Sequence, residues 1–370
     1  MIQSSYTSID TPALLIDYDI MMENIRFMQQ KANAYKVNLR PHTKTHRMPD
    51  LAKIQVEEGS CGITVAKVGE AEIMAENGLN DIFIANEIVG IPKLERIKSL
   101  NRKIKIRIGV DNEFQVDQLE EIFKNEKTGI EVLIELEVGE NRSGIIKDKD
   151  LIKLSKYIQE KKKVILKGIF SHEGHAYSAE TIDDCIKIAV ECQRKTIKAA
   201  NIIRDLGIKI DTVSIGATPS LMHCEILEGI TEIRPGTYIL MDAAQGNAIH
   251  NFERCAATVL ATVMSKPTDE RIILDTGAKA LTAQTRNKGI CITPGNGLIK
   301  NSDNLRLSGV FDEHGIIYDR TLRNTLNIGN KIEIIPNHIC PTCNLYDQAY
   351  LVANGKVLKE IPILCRGKSQ

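Results

Sequence analysis

The chain lacks an excess of charge of either sign. Lys plus Arg number 48 and Asp plus Glu number 48, so the formal net charge is zero. No net field draws it to nucleic acid or to an anionic membrane. It also lacks an apolar run of bilayer length; its longest are strand-sized. Residues 1–11 are polar and carry neither the basic nor the apolar region of a signal peptide. Cys340 and Cys343 form a C-x-x-C, half of a structural zinc knot or a redox pair, but no second C-x-x-C is present, which argues against the knot. No low-complexity linker and no fixed-period repeat is present either.

What is present suits a soluble protein of two domains. The 370 residues are 43% hydrophobic and 26% charged, ordinary for a globular chain with a large core. Nine cysteines, an odd number without a secretory signal, read as thiols in a reducing cytoplasm. Cys61, Cys192 and Cys255 sit among apolar neighbours and read as small core residues.

From the start to about residue 242, β-branched runs alternate with amphipathic segments. The runs at 13–17, 37–40, 62–66, 81–85, 103–110, 131–138, 164–170, 212–215 and 232–240 read as buried parallel strands. Between them, 19–35 places Met22, Ile25, Phe27 and Met28 on or near one face, and 148–159 and 181–206 repeat the helical period. This alternation indicates α/β architecture, and eight such units close a (β/α)8 TIM barrel in about 250 residues. Nine strands are one too many, and the first is the one assigned outside the barrel. After Gly246 the texture becomes strands at 256–264, 271–275, 331–335 and 348–352, separated by Gly and Asn turns. The expected division is a barrel over 1–245 and a C-terminal mainly β domain over 246–370.

Four segments carry the chemistry. Lys44 lies in Arg40-Pro41-His42-Thr43-Lys44-Thr45-His46, just after a buried-type strand. A lysine is usually a solvated charge, but barrel active sites are built at the C-terminal ends of strands. Cationic neighbours favour its amine form, the nucleophile that makes an imine with an aldehyde. In Ser214-Ile215-Gly216-Ala217-Thr218-Pro219-Ser220 a strand ends in glycine, Thr218 suits an N-cap and Pro219 the first helical position. A helix running through Leu221, Ile226 and Leu227 would then present an anion site, or simply a tidy turn. His338 and Cys340 stand two apart; if extended they share a side and can bind one metal, zinc by donor type, or be a buried pair without metal. Ser171-His172-Glu173-Gly174-His175-Ala176-Tyr177 closes a strand, with Gly174 against a helix there. Asn141-Arg142-Ser143-Gly144 brings a cation to the same mouth.

Taken together, these motifs resemble the D-threonine aldolase and D-serine dehydratase family of pyridoxal-phosphate (PLP) enzymes, which have an alanine-racemase-like fold. The likeness runs from Asp10-Thr11-Pro12-Ala13 to Pro336-Asn337-His338-Ile339-Cys340, with support from Glu232-Ile233-Arg234-Pro235-Gly236-Thr237-Tyr238. It implies that Lys44 carries PLP as a Schiff base, with Arg142 near the ring hydroxyl and Tyr177 near the ring nitrogen. Gly216, Ala217 and Thr218 would hold the phosphate. His338 and Cys340 would bind a divalent metal, zinc first and manganese or magnesium as alternatives. It also implies a homodimer with shared active sites. Relatives that carry Gln before Lys-Val-x-Glu-Ala-Glu differ from this chain, which has Ala66 there, and Cys343 is an unusual extra.

The expected activity is that of a lyase on a D-3-hydroxy amino acid, with Lys44 removing the α-proton. Loss of the β-hydroxyl, as in D-serine dehydratase, is the first reading. Aldol cleavage to glycine and an aldehyde is the close alternative. An amino-acid racemase would need a second base and no metal, and a non-catalytic PLP carrier would need no second domain.

Overall fold

The computed structural model describes residues 2–370. Strands β1 (Ala13–Asp17), β2 (Asn38–Leu39), β3 (Ile63–Val65), β4 (Asp81–Glu87) and β5 (Lys105–Val110) are followed by β6 (Ile130–Leu136), β7 (Val164–Ser171), β8 (Thr212–Ile215) and β9 (Glu232–Ile233). Then come β10 (Ala257–Ser265), β11 (Arg271–Leu274), β12 (Leu298–Ile299), β13 (Gly309–Val310), β14 (Gly315–Tyr318), β15 (Lys331–Ile335), β16 (Gln348–Ala353) and β17 (Lys356–Pro362). The chain divides into two compact units. One takes residues 27–44, 49–236 and 367–370; the other takes the chain up to Arg26, 45–48 and 237–366.

The first unit is the (β/α)8 barrel. Its eight strands are parallel in the order β2-β9-β8-β7-β6-β5-β4-β3. The ring closes beyond β2, where Thr64 N–H donates to Pro41 O at 2.8 Å and His42 bridges Thr64. Strands β7 and β8 approach so closely that a Cβ on Gly168 would lie 1.9 Å from Thr212 O. Helices fill the outer ring, and two start on side-chain caps: Asn112 accepts from Gln115 N–H, and Thr181 from Asp184 N–H. On Tyr18–Ala34 the buried apolar residues are Met21, Met22, Ile25, Met28 and Ala32. Three of the four expected face residues, Met22, Ile25 and Met28, are thus buried, and Phe27 alone is exposed, at 37%.

The barrel interior holds buried charge. Arg40 Nε donates to Glu232 Oε2 at 2.7 Å and Arg40 Nη1 to Asp81 Oδ1 at 2.6 Å. Ser214 Oγ donates to Glu232 Oε1 at 2.6 Å, and Arg234 Nη2 to Ser171 O at 2.8 Å. Burial opposes ionisation of Glu232, but Arg40 and Ser214 outweigh it and hold this carboxyl below the usual range. The Phe83 and Phe170 rings meet edge to face at 5.0 Å, with the Arg234 guanidinium 5.2 Å from the Phe170 centroid.

The expected strand over 232–240 stops at Ile233. Pro235 lacks the N–H a ladder needs, and Thr237–Ile239 winds into a 3-10 turn. The first strand is the one left outside the barrel. In the second unit β1 pairs antiparallel with β10 (Ala13 opposite Leu260) and parallel with β16 (Ile16 opposite Leu351). The sheet runs β13-β14-β11-β10-β1-β16-β17, with β15 joining β10 to β12. No helix among the described residues is long and apolar enough to cross a membrane.

Candidate active site

Within the barrel unit the candidate residues follow the C-terminal ends of successive strands. Lys44 lies in the 3-10 turn Thr43–Thr45 after β2. Its surroundings are fixed by bonds to backbone carbonyls: His42 N–H donates to Pro235 O at 2.9 Å, and the Thr43 hydroxyl to Thr64 O at 3.1 Å. The Lys44 N–H donates to His42 Nδ1 at 3.4 Å, so that nitrogen carries no proton. Burial, then the charges of Lys44 and Arg234, push His42 well below the usual imidazole range. His42 is therefore neutral, not the cationic neighbour its sequence position suggests. Arg40 is committed to Glu232 and Asp81 inside the barrel.

His172 follows β7. Its Nδ1 donates to the carbonyl oxygen of Gly216 at 2.5 Å. Burial, followed by Lys44 and Arg142, lowers its pKa to about 3, so this ring is also neutral. Gly216 follows β8 and packs against the backbone of Arg234: a Cβ there would meet Arg234 C at 2.7 Å and N at 2.8 Å. The helix that follows is Thr218–His223, capped by Ala217. Thr218 is thus one residue inside the helix, not its cap, and the helix ends before Ile226. The shift has a consequence: Thr218 Oγ1 is buried and has no hydrogen-bond partner among the described residues. A hydroxyl that caps no amide is left for something else to satisfy.

Arg142 lies beyond β6 and is half-exposed, its Nη2 3.3 Å from Glu135 Oε1 and its Nη1 3.4 Å from Glu140 Oε2. Ser143 Oγ donates to Glu135 Oε2 at 3.0 Å. Glu87, at the end of β4, is pushed up to about 9 by burial and then by its contact with Glu135, so Glu87 keeps its proton at neutral pH. Tyr177 lies in the 3-10 helix Gly174–Ser178, a turn that Gly174 opens and does not prevent. A Cβ on Gly174 would strike Glu140 Oε1 at 1.9 Å.

In the second unit, His338 is extended and caps the short helix Ile339–Cys343. Cys340 is inside that helix, so the pair straddles a strand-to-helix change and is not the extended pair expected. Cys340 Sγ lies 3.4 Å from Thr45 Oγ1 and 3.8 Å from Thr237 Oγ1. The His338 Nδ1 is 2.9 Å from Gln284 Oε1. Asp242 is buried beneath this turn. Its Oδ2 accepts from Ile339 N–H at 3.0 Å and its Oδ1 from Gln245 N–H at 2.9 Å. Cys343 is fully buried.

The residues present fit both groups the resemblance implies. The buried Thr218 hydroxyl, without a partner among the described residues, suits a phosphate oxygen. An imidazole and a thiol are zinc donors by chemical type; among the described residues no group of three or more His, Cys, Asp or Glu side chains is placed to hold a metal ion. Sequence reasoning missed Asp242, which had a cap signature before Gln245, and Gln284, which had none.

Comparison with known proteins gives the class. The alanine racemase N-terminal domain matches residues 16–244, and a putative serine dehydratase domain matches residues 256–352. The chain belongs to the D-threonine aldolase and D-serine dehydratase family, D-amino-acid lyases with the alanine-racemase-like fold. It is 32% identical to the D-threonine aldolase of Arthrobacter sp, over 98% of this chain and 94% of that one. It is 29% identical to the D-serine dehydratase of Dictyostelium discoideum, over 94% of each. The solved D-threo-3-hydroxyaspartate dehydratase of Delftia sp. HT23 is 27% identical and superposes with a TM-score of 0.89, covering 97% of this chain and 99% of that one. A cysteine-to-alanine variant of a D-threo-3-hydroxyaspartate dehydratase was solved in a metal-free form.

Proposed function

We propose that the protein is a PLP- and metal-dependent dehydratase of a D-3-hydroxy amino acid, D-serine first, giving a 2-keto acid and ammonia. The observation that carries this reading is the Cys340 thiol 3.4 Å from the hydroxyl of Thr45, the residue that follows Lys44 in the chain.

When bound, PLP supplies an electron sink and the metal a Lewis acid. Lys44 would hold PLP, and Gly216, Ala217 and Thr218 its phosphate. Arg142 would lie toward the ring hydroxyl and Tyr177 toward the ring nitrogen. Arg142 is braced for that task by Glu135 and Glu140. Neutral His42 and His172 add no positive charge around the Lys44 amine, whose Nζ would take the α-proton from one face. His338 and Cys340 would hold the divalent ion beside the β-hydroxyl.

Aldol cleavage is the second reading, favoured by the 32% identity to an aldolase. Product analysis separates the two. Pyruvate and ammonia from D-serine, with loss of activity on chelation, support the dehydratase. Glycine and acetaldehyde from D-threonine, with no keto acid from either substrate, sink it. Size-exclusion chromatography with light scattering tests the homodimer that belongs to the same reading.

A further inference from the structure

A histidine ligates a metal through one ring nitrogen only when the proton sits on the other. Metal-bound histidines therefore usually donate their second N–H to a carboxylate, carbonyl or water, which fixes the tautomer and the ring plane. The buried carboxylate beside His338 is Asp242, and both its oxygens already accept backbone amides, from Gln245 and Ile339. The group on His338 Nδ1 is instead the side-chain oxygen of Gln284, at 2.9 Å.

Gln284 is held from the segment that carries the histidine. Asn337, the preceding residue, donates from Nδ2 to Gln284 O at 3.3 Å and to Gly295 O at 2.9 Å. Gln284 N–H in turn donates to Thr282 Oγ1 at 2.9 Å, where Thr282 turns the chain at a φ of 65°. Consecutive residues thus clasp one glutamine: Asn337 takes its backbone carbonyl and His338 its amide. With Oε1 toward the ring, Nδ1 bears the proton and the lone pair is on Nε2. The opposite amide orientation would put a donor against Nδ1, move the proton to Nε2 and leave no lone pair there.

We infer that Gln284 is a positioning residue for the metal: it fixes His338 as the Nδ1–H tautomer that ligates through Nε2. This rests on the reading of His338 and Cys340 as ligands. The amide of a glutamine can present either end, so a carboxylate at the same place, an acceptor only, serves the role at least as well, whereas an apolar side chain cannot.

The test measures zinc affinity of the full chain by competition with a chromophoric chelator, for wild type, Gln284→Leu, Gln284→Glu and Cys340→Ala. Gln284 is exposed, so the melting temperatures of the metal-free Gln284 variants should match wild type. The expected result is zinc bound about 10- to 100-fold more weakly by Gln284→Leu and at least as tightly as wild type by Gln284→Glu. Wild-type affinity in Gln284→Leu, with loss in Cys340→Ala, overturns the inference and leaves the metal reading standing. Weakening by both Gln284 variants alike also overturns it, since a tautomer role requires rescue by the carboxylate. No zinc bound by wild type defeats the metal reading, and the inference with it.

Discussion

His172 donates its Nδ1–H to the carbonyl oxygen of Gly216 at 2.5 Å, tying the end of β7 to the loop after β8. A carbonyl can only accept, so the ring is the Nδ1–H tautomer, and a second proton would add charge to a buried place already facing Lys44, Arg142 and Arg234.

That arrangement sets an acid limit on stability. His172 has a pKa of about 3 in the fold, against about 6.5 in the unfolded chain. Below about pH 6.5 the unfolded chain takes up a proton that the folded one refuses, so stability falls as the pH drops from there toward 3. The slope from one such group reaches about 1.4 kcal/mol per pH unit, and His42 acts in the same direction. His172→Gln should flatten the acid side of a melting-temperature curve between about pH 6 and 4. An unchanged slope would show that this ring is not held neutral.

Glu87 has the opposite sign. Its folded pKa of about 9 lies above the ordinary 4.5. The stability this carboxyl lends is complete below about pH 4.5 and is lost as the pH rises toward 9, because the unfolded chain ionises first. Glu87→Gln imitates the protonated acid. Its melting temperature relative to wild type should therefore rise between about pH 5 and 8. A constant difference across that interval would contradict a Glu87 carboxyl held protonated in the fold.

Thr218 supplies a prediction in which two quantities move apart. Its hydroxyl is buried without a partner, so Thr218→Val should leave the cofactor-free protein as stable as wild type or more so. A hydroxyl donating to a charged phosphate is worth about 1.5–3 kcal/mol, so the same change should weaken PLP binding by about 10- to 100-fold. Thermal melting and a PLP titration check the two halves. Equal PLP affinity would remove Thr218 from the phosphate site.

Much of this was legible in the sequence where a long pattern and a chemical motif coincided. Eight buried runs at barrel spacing announced the parallel sheet, and Lys44 stood at the end of one of them. What failed did so over one or two residues. The Thr218 hydroxyl looked like a cap because the residue type and the following Pro219 fitted, but the backbone turns at Ala217. The run through Tyr238 and Leu240 is apolar enough for a strand, but Pro235 lacks the N–H a ladder needs and Thr237–Ile239 forms a 3-10 turn. His338 and Cys340 were found by spacing, while their geometry depended on a helix too short to leave a period. Gln284 gave no local signal, because its contact with His338 spans 54 positions of the chain.

The central claim is that Lys44 is the residue that holds PLP. Reconstitution with PLP, reduction with borohydride and peptide mapping by mass spectrometry test it directly. The account predicts a pyridoxyl adduct on Lys44 in wild type and none in Lys44→Ala. An adduct on a different lysine, or one undiminished in Lys44→Ala, would contradict it.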